Sequence, residues 1–393
     1  MPHWWWPLSC WCLNFPDRPM KYFLIAGEAS GDLHASNLMK ELKKHDPGAA
    51  FMFMGGDLMA QVSPGLVMHY SETSFMFLDV LLHLGRILRN MRKLKARIRQ
   101  WHPDVVIPVD YPGFNLRMAR FASSEAIQVF YFITPKVWAW KKRRVGILKK
   151  YVRRLFVILP FEVGFYDRYH MEVEYFGNPL VDGVKRFLSE FQGPEEWKGS
   201  HSLDQRPVVA LLAGSRKKEI QRMLPGMVRV AADHPGYQFV VAGAPSMGAG
   251  MYSPFLKDTD VRIVHGETYG LLASAFAAIV TSGTATLETA LFRVPQVVVY
   301  KTGSLAYVIA KRLIKVNFIS LVNLILDRGL VPEIIQKKLY ERSGGALARI
   351  LEDEGTRKRL MDGYGQMEGM LGEPGVSDRI AERMVELLSE DNR

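Results

Sequence analysis

Residues 277–292 read AAIVTSGTATLETALF, and the reading of this stretch decides the fold. An unbroken apolar run ends at Ser282, Gly283 and Thr284, and a helical pattern begins at once. Such a run marks a strand covered on both faces. A strand that turns through small residues straight into a helix is the repeating unit of a parallel α/β sheet. Working outward, the unit recurs at PVVALLAG (207–214), YQFVVAG (237–243), VRIVHG (261–266) and PQVVVY (295–300). The first half repeats it at KYFLIAG (21–27), AFMFMG (50–55), DVVIPVD (104–110), QVFYFI (128–133) and RLFVILP (154–160). The fold class is therefore α/β: two Rossmann-like, doubly wound parallel-sheet domains with an interdomain cleft and C-terminal helices. Ligands of such sheets sit beyond the carboxyl ends of the strands, so the chemistry is sought where strands stop.

A length of 393 residues suits two domains of common size. The first is expected over 20–190 and the second over 205–342, joined by the polar linker 191–206. Helices over 343–393 are expected to pack back on one domain or the other. A hydrophobic share of 48% and a charged share of 23% exclude a disordered chain. The most apolar stretch, 305–326, is broken by Lys311, Arg312 and Lys315, so no membrane-spanning helix is expected. The first 19 residues hold four of the eight tryptophans but lack the basic start and clean apolar run of a secretory signal. They are expected to be poorly ordered or a mis-assigned start, with Met20 as the functional first residue. Cys10 and Cys12 cannot form a disulfide framework, and no cluster of His or Cys accompanies them, so neither metal nor cofactor is expected.

The net charge of +11 is concentrated. Residues 86–99 carry seven Arg or Lys and residues 141–154 carry eight, with no acid in either run. Without them the chain has 36 basic against 40 acidic residues. Positive charge gathered in this way points to nucleic acid, anionic lipid or a phosphorylated substrate.

Three strand ends carry candidate chemistry. At Ser282–Thr284 small side chains let a phosphate approach main-chain N–H groups at a helix N-terminus, and Glu288 further along can accept from ribose hydroxyls. The plain alternative is a tight turn with Glu288 in solvent. At LLAGSRKKEI (211–220) the strand runs into Gly214, Ser215 and Arg216, where a guanidinium can fork onto a diphosphate as it becomes more anionic. In the first half, GEASGD (27–32) lacks the glycine spacing of dinucleotide enzymes but brings Glu28, Ser30 and Asp32 to a strand end. PVDYPGFN (108–115) does the same for Asp110 and Asn115. These acids either orient sugar hydroxyls and accept a proton or simply cap their turns.

The series GEASGD, PVDYPGFN, TPKVWAWKKRRV (134–145), LPFE (159–162), AGSRKKEI, TSGTATLE and the segment 310–336 resembles the lipid-A-disaccharide synthase family, glycosyltransferases of the GT-B fold. The resemblance runs from Met20 nearly to the C-terminus. It implies an inverting transfer from UDP-2,3-diacylglucosamine to 2,3-diacylglucosamine 1-phosphate, releasing UDP. It implies that UDP is held by Gly214, Ser215, Arg216, Ser282, Gly283, Thr284, Glu288, Ser320 and Asn323. The first domain then takes the lipid acceptor, with Ser30, Asp32 and Asn115 as its candidate residues. Arg216 is the catalytic candidate on the leaving-group side, without a metal. The family commonly has an acid where this chain has Gly113, and that acid is a candidate general base; Asp110 and Glu28 remain, Asp110 ahead. Ala213 and Val322 stand where proline is common.

Residues 75–101 show an apolar seam of Val80, Leu84, Leu88, Met91 and Ile98 among basic residues, preceded by Phe75, Met76, Phe77 and Leu78. A basic amphipathic helix with an apolar lead suits an anionic membrane surface, touched through those four residues with Arg86 and Arg89. Ordinary domain packing explains the seam equally well. With an acylated acceptor, the expected location is the cytoplasmic face of the bacterial inner membrane. Two other classes stay in view: another GT-B UDP-sugar enzyme such as an epimerase, and a basic nucleic-acid-binding module built on 141–154 beside Trp138 and Trp140. The latter leaves both nucleotide-type turns without a task, so nucleic acid is not expected as a partner.

Overall fold

The computed structural model describes residues 18–72, 84–139, 143–245, 247–303, 307, 316–336 and 338–391. The chain forms two compact units. One contains residues up to Ile158, Glu162–Phe176 and the stretch from Gly375 onward; the other contains Leu159–Phe161 and Gly177–Pro374.

The first unit holds strands β1 (Lys21–Ala26), β2 (Ala50–Gly55), β3 (Leu66–His69), β4 (Val105–Val109), β5 (Gln128–Phe132), β6 (Arg154–Val157) and β7 (Glu174–Tyr175). They form a seven-stranded sheet in the order β3-β2-β1-β4-β5-β6-β7, every pair parallel. The interior strand β1 is covered on both faces, as its unbroken apolar run requires. Tyr22, Leu24 and Ala26 face one core with Leu38, Met39 and Leu42 of helix Ala29–His45 and with Ile380, Met384 and Leu388 of the C-terminal helix Val376–Asp391. Phe23 and Ile25 face the other, with Met91, Leu94 and Ile98 of helix Leu84–Trp101.

The second unit holds β8 (Val208–Leu212), β9 (Gln238–Gly243), β10 (Arg262–His265), β11 (Ala275–Thr281), β12 (Gln296–Tyr300) and β13 (Glu333–Ile335). They form a six-stranded sheet in the order β10-β9-β8-β11-β12-β13, again parallel throughout. In each sheet the order reverses once beside the first strand, between β1 and β4 and between β8 and β11. Loops leaving those neighbours diverge to opposite sides and open a crevice, which is where such sheets bind ligands.

Several expectations need correction. The linker 191–206 contains the helix Pro194–Ser200, whose Trp197 is buried. The helix Leu180–Glu190 belongs with the second unit, because Phe187 meets Tyr269 and Phe292 edge-on and Lys185 pairs with Glu368 at 2.9 Å. The C-terminal region is shared: Leu339–Glu352 and Glu354–Leu371 stay with the second unit, while Val376–Asp391 closes the first. Arg18 and Pro19 are tied down, Arg18 to Asp104 at 2.5 Å and Pro19 against Gly48; residues 1–17, with both cysteines, lie outside the described residues. The apolar seam of helix Leu84–Trp101 faces the core through Ile87, Met91, Leu94 and Ile98, whereas Leu88 is exposed among Arg86, Arg89, Arg92 and Lys93. Phe75, Met76, Phe77, Leu78 and Val80 lie outside the described residues, as does Trp140.

Candidate active site

In the second unit β8 runs through Ala213 into Gly214, which has φ +106. Glycine is required there twice over, by the left-handed backbone and because a Cβ would lie 2.7 Å from Glu219 Oε2. Arg216 follows in extended conformation as the N-cap of helix Lys217–Ala232. The Glu219 carboxylate folds back over this turn, accepting from the Ser215 N–H at 3.2 Å and from Arg216 Nη1 at 3.1 Å. Two donors on this exposed turn thus share one carboxylate. Next to it, across the point where strand order reverses, β11 ends at Thr281 and helix Thr284–Leu291 begins. Ser282 donates its hydroxyl to the Ile319 carbonyl at 2.7 Å and its N–H to the Val299 carbonyl at 3.0 Å, which fixes the turn between β11 and the helix. Glu288 is half-buried and accepts from the Tyr269 hydroxyl at 3.0 Å; burial raises its carboxyl above the ordinary carboxylate value.

Ser320 and Asn323 are bound into the framework of the second unit. Both are buried. Ser320 caps helix Leu321–Leu326, and its hydroxyl donates to Glu333 at 2.8 Å. The Asn323 amide donates to the Val331 carbonyl and to Glu333, and accepts from the Leu330 and Val331 N–H groups, all at 2.9 Å. These side chains knit β13 to the helix. Glu333, which collects the Ile319 and Ser320 N–H groups as well, was not singled out from the sequence because β13 is only three residues long.

In the first unit the loops after β1 and β4 flank the equivalent reversal. Asp32 is buried, and its carboxylate accepts from the N–H groups of Gly56, Leu58 and Met59 at 2.7, 3.1 and 3.2 Å. It therefore caps the helix Asp57–Val62. Asn115 is fully buried, and its Nδ2 donates to the carbonyls of Ile25, Val109 and Asp110 at 3.1, 3.1 and 2.8 Å. It pins the ends of β1 and β4 together. Glu28 and Ser30 are exposed at the start of helix Ala29–His45.

Asp110 stands apart from these structural residues. It and Tyr111 are consecutive left-handed residues, φ +46 and +47. Its carbonyl is held by the Tyr131 hydroxyl at 2.7 Å as well as by Asn115, and its N–H reaches the carbonyls of Phe132 and Ile133 at 3.2 Å. Gly27 makes room for the adjacent Tyr111 ring, since a Cβ there would fall 2.2 Å from Cδ1. Burial pushes the Asp110 carboxyl up to about 6; the Lys136 ammonium draws it down, Glu28 pushes it up and the Tyr111 N–H draws it down. Strained backbone persists only where surroundings over-determine it, and it gathers at functional sites. A carboxylate poised near neutrality is suited to proton transfer. Gly113 lies on the same turn, exposed, with nothing within 4 Å of where a Cβ would be. Among the described residues no group of three or more His, Cys, Asp or Glu is placed to hold a metal ion, and no helix is long and apolar enough to cross a membrane.

Two parallel sheets of this topology, each with its polar turns at the strand-order reversal, define an α/β enzyme of the GT-B class, the architecture of many glycosyltransferases and nucleotide-sugar enzymes. The UDP-GlcNAc 2-epimerase from Neisseria meningitidis bound to UDP-GlcNAc shares the fold with a TM-score of 0.70 at 12% identity, covering 93% of this chain and 100% of that one. The glycotransferase of kitacinnamycin does so with a TM-score of 0.63 at 14% identity, covering 94% and 100%. The family described as lipid-A-disaccharide synthetase matches residues 22–372. The lipid-A-disaccharide synthase of Geobacter sulfurreducens is 35% identical over 377 residues, 94% of this chain and 97% of that protein. That of Myxococcus xanthus is 36% identical over 379 residues, 94% and 98%. The chain belongs to the lipid-A-disaccharide synthase family, and its activity is the glycosyl transfer that makes the lipid A disaccharide.

Proposed function

We propose that the chain moves the 2,3-diacylglucosamine unit of a UDP-activated donor to the 6-hydroxyl of 2,3-diacylglucosamine 1-phosphate, with inversion at the anomeric carbon. Asp110 takes the proton of that hydroxyl as it attacks. The Ser215 N–H and the Arg216 guanidinium, together with main-chain donors of the Ser282–Thr284 turn, steady the diphosphate as it departs, and Glu288 receives the ribose hydroxyls. Charge that develops on the leaving group is thereby met by donors fixed beforehand, with little reorganisation in the reaction. The observation that carries this reading is the seating of Asp110: a carboxylate raised to about 6 on a strained turn at the end of a central strand. Single-turnover transfer with Asp110→Ala tests it. A loss of about 10²- to 10⁴-fold is expected for a missing general base, and a near-normal rate rules Asp110 out.

The acylated substrates call for a membrane surface, and the exposed face of Arg86, Leu88, Arg89, Arg92 and Lys93 is the surface we assign to it. Basic residues near anionic lipid contribute about 1 kcal/mol each. Sedimentation with vesicles rich in anionic lipid should fall sharply for Arg89→Glu/Arg92→Glu, and binding indifferent to vesicle charge rejects the assignment.

A further inference from the structure

The strain at Asp110 continues into the neighbouring strand end. Ile133, directly after β5, has φ +58, a conformation that a β-branched side chain strongly disfavours. Its carbonyl receives the Asp110 N–H, and its own N–H reaches the Phe156 carbonyl at 3.1 Å. The next residue, Thr134, is buried and donates its hydroxyl to Glu162 Oε1 at 3.0 Å. Trp138 Nε1 donates to the same oxygen at 3.2 Å, and the Ile158 N–H donates to Glu162 Oε2 at 3.3 Å. Glu162 itself is buried. One carboxylate thus grips both ends of residues 134–138 and the chain leaving β6, and the exposed Lys136 lies between the two gripped ends.

We propose that Glu162 is a positioning residue for the transfer: its carboxylate clamps residues 133–138 in their strained path, so that Ile133 seats the main chain of Asp110 and Lys136 is held facing the Asp110 carboxylate. This extends the assignment of Asp110 as base and rests on it. The groups that face Asp110 are Lys136 from this loop, Glu28 from the end of β1 and Tyr131 from β5. Of these Lys136 alone is a cation, and it favours the ionised carboxylate. Releasing the clamp withdraws that cation, leaves burial and Glu28 opposed by the Tyr111 N–H alone, and moves the base toward higher pKa.

The test is the pH profile of kcat/KM for the full chain with Glu162→Gln, Lys136→Met and both together. An opposite charge at close range moves a carboxyl by about one unit, so each single variant should shift the acid limb about one pH unit upward. The double variant should add nothing further, because both act through one group. Turnover of Glu162→Gln should fall about tenfold, with KM for the UDP-sugar within about twofold. A limb that moves for Lys136→Met and stays for Glu162→Gln overturns the proposal, as does full turnover in Glu162→Gln. Should Glu162→Gln not fold, Thr134→Val removes one arm of the clamp and is read in the same way. Failure of the underlying assignment registers separately, as retained activity in Asp110→Asn.

Discussion

Replacing Asp110 by asparagine should make the enzyme more stable as it makes it inactive, and the gain should depend on pH. The carboxyl titrates at about 6 in the folded chain against an ordinary 3.8. Below the ordinary value it is neutral in both states and costs nothing. Between the two values the folded protein holds a proton that the unfolded chain has released, so stability falls as pH rises. Above about 6 the carboxylate is charged in both states and the full cost of burying it remains. A shift of about two units at about 1.4 kcal/mol each sets an upper bound of about 3 kcal/mol. Partial exposure of the residue and the burial of the amide reduce this to about 2 kcal/mol. Asparagine also tolerates the left-handed backbone of position 110 well, so no strain offsets the gain. For units of this size about 2 kcal/mol corresponds to about 5 °C in thermal midpoint. Scanning both proteins from pH 4 to pH 8 should show midpoints that coincide at the acid end and separate by that amount at the alkaline end. A gap independent of pH, or a variant that melts lower at pH 8, refutes the argument that burial of this charge is what tunes the base.

Gly113→Asp should raise turnover, since the position is open and lies on the turn that carries Asp110; at the second position of helix Pro112–Ser124 it should also add about 1 kcal/mol through helix propensity and the helix dipole. Unchanged turnover, alone and in an Asp110→Asn background, denies the position any part in proton transfer. Glu219→Gln should tighten UDP binding several-fold by calorimetry, because the native carboxylate occupies the donors at Ser215 and Arg216; weaker binding would mean that Glu219 instead holds the turn in its active shape. Asn323→Ala should cost about 3 kcal/mol in thermal or urea unfolding, given a buried amide with four partners. A variant of normal stability with lost UDP affinity would return Asn323 to the list of nucleotide ligands.

The central strands were legible because strands buried on both faces are unbroken apolar runs. β3, β7 and β13 were not, being short edge strands whose side chains are mostly half-exposed. The helix Pro194–Ser200 hid in a polar segment, since seven residues give too little periodicity to read. The candidate site residues fall on turns at strand ends, but the sequence could not tell a polar side chain that faces outward from one that faces the protein's own backbone. Asp32, Asn115, Ser320 and Asn323 sit in motif positions, and all four side chains bond to the protein's own main-chain or carboxylate groups. Arg216 and Asp110 look the same in one dimension. What separates them is exposure in one case and a raised carboxyl on a strained turn in the other, and both are properties of tertiary packing.

The C-terminal helix has a consequence for biosynthesis. Ile380, Met384 and Leu388 complete the apolar layer under β1, a strand made more than three hundred residues earlier. Until the last segment has cleared the ribosome, Leu38, Met39 and Leu42 have no cover on that side. The unit synthesised first is therefore the one that finishes last, and a nascent chain arrested near Pro374 should present a sticky surface to chaperones while its second half is already folded.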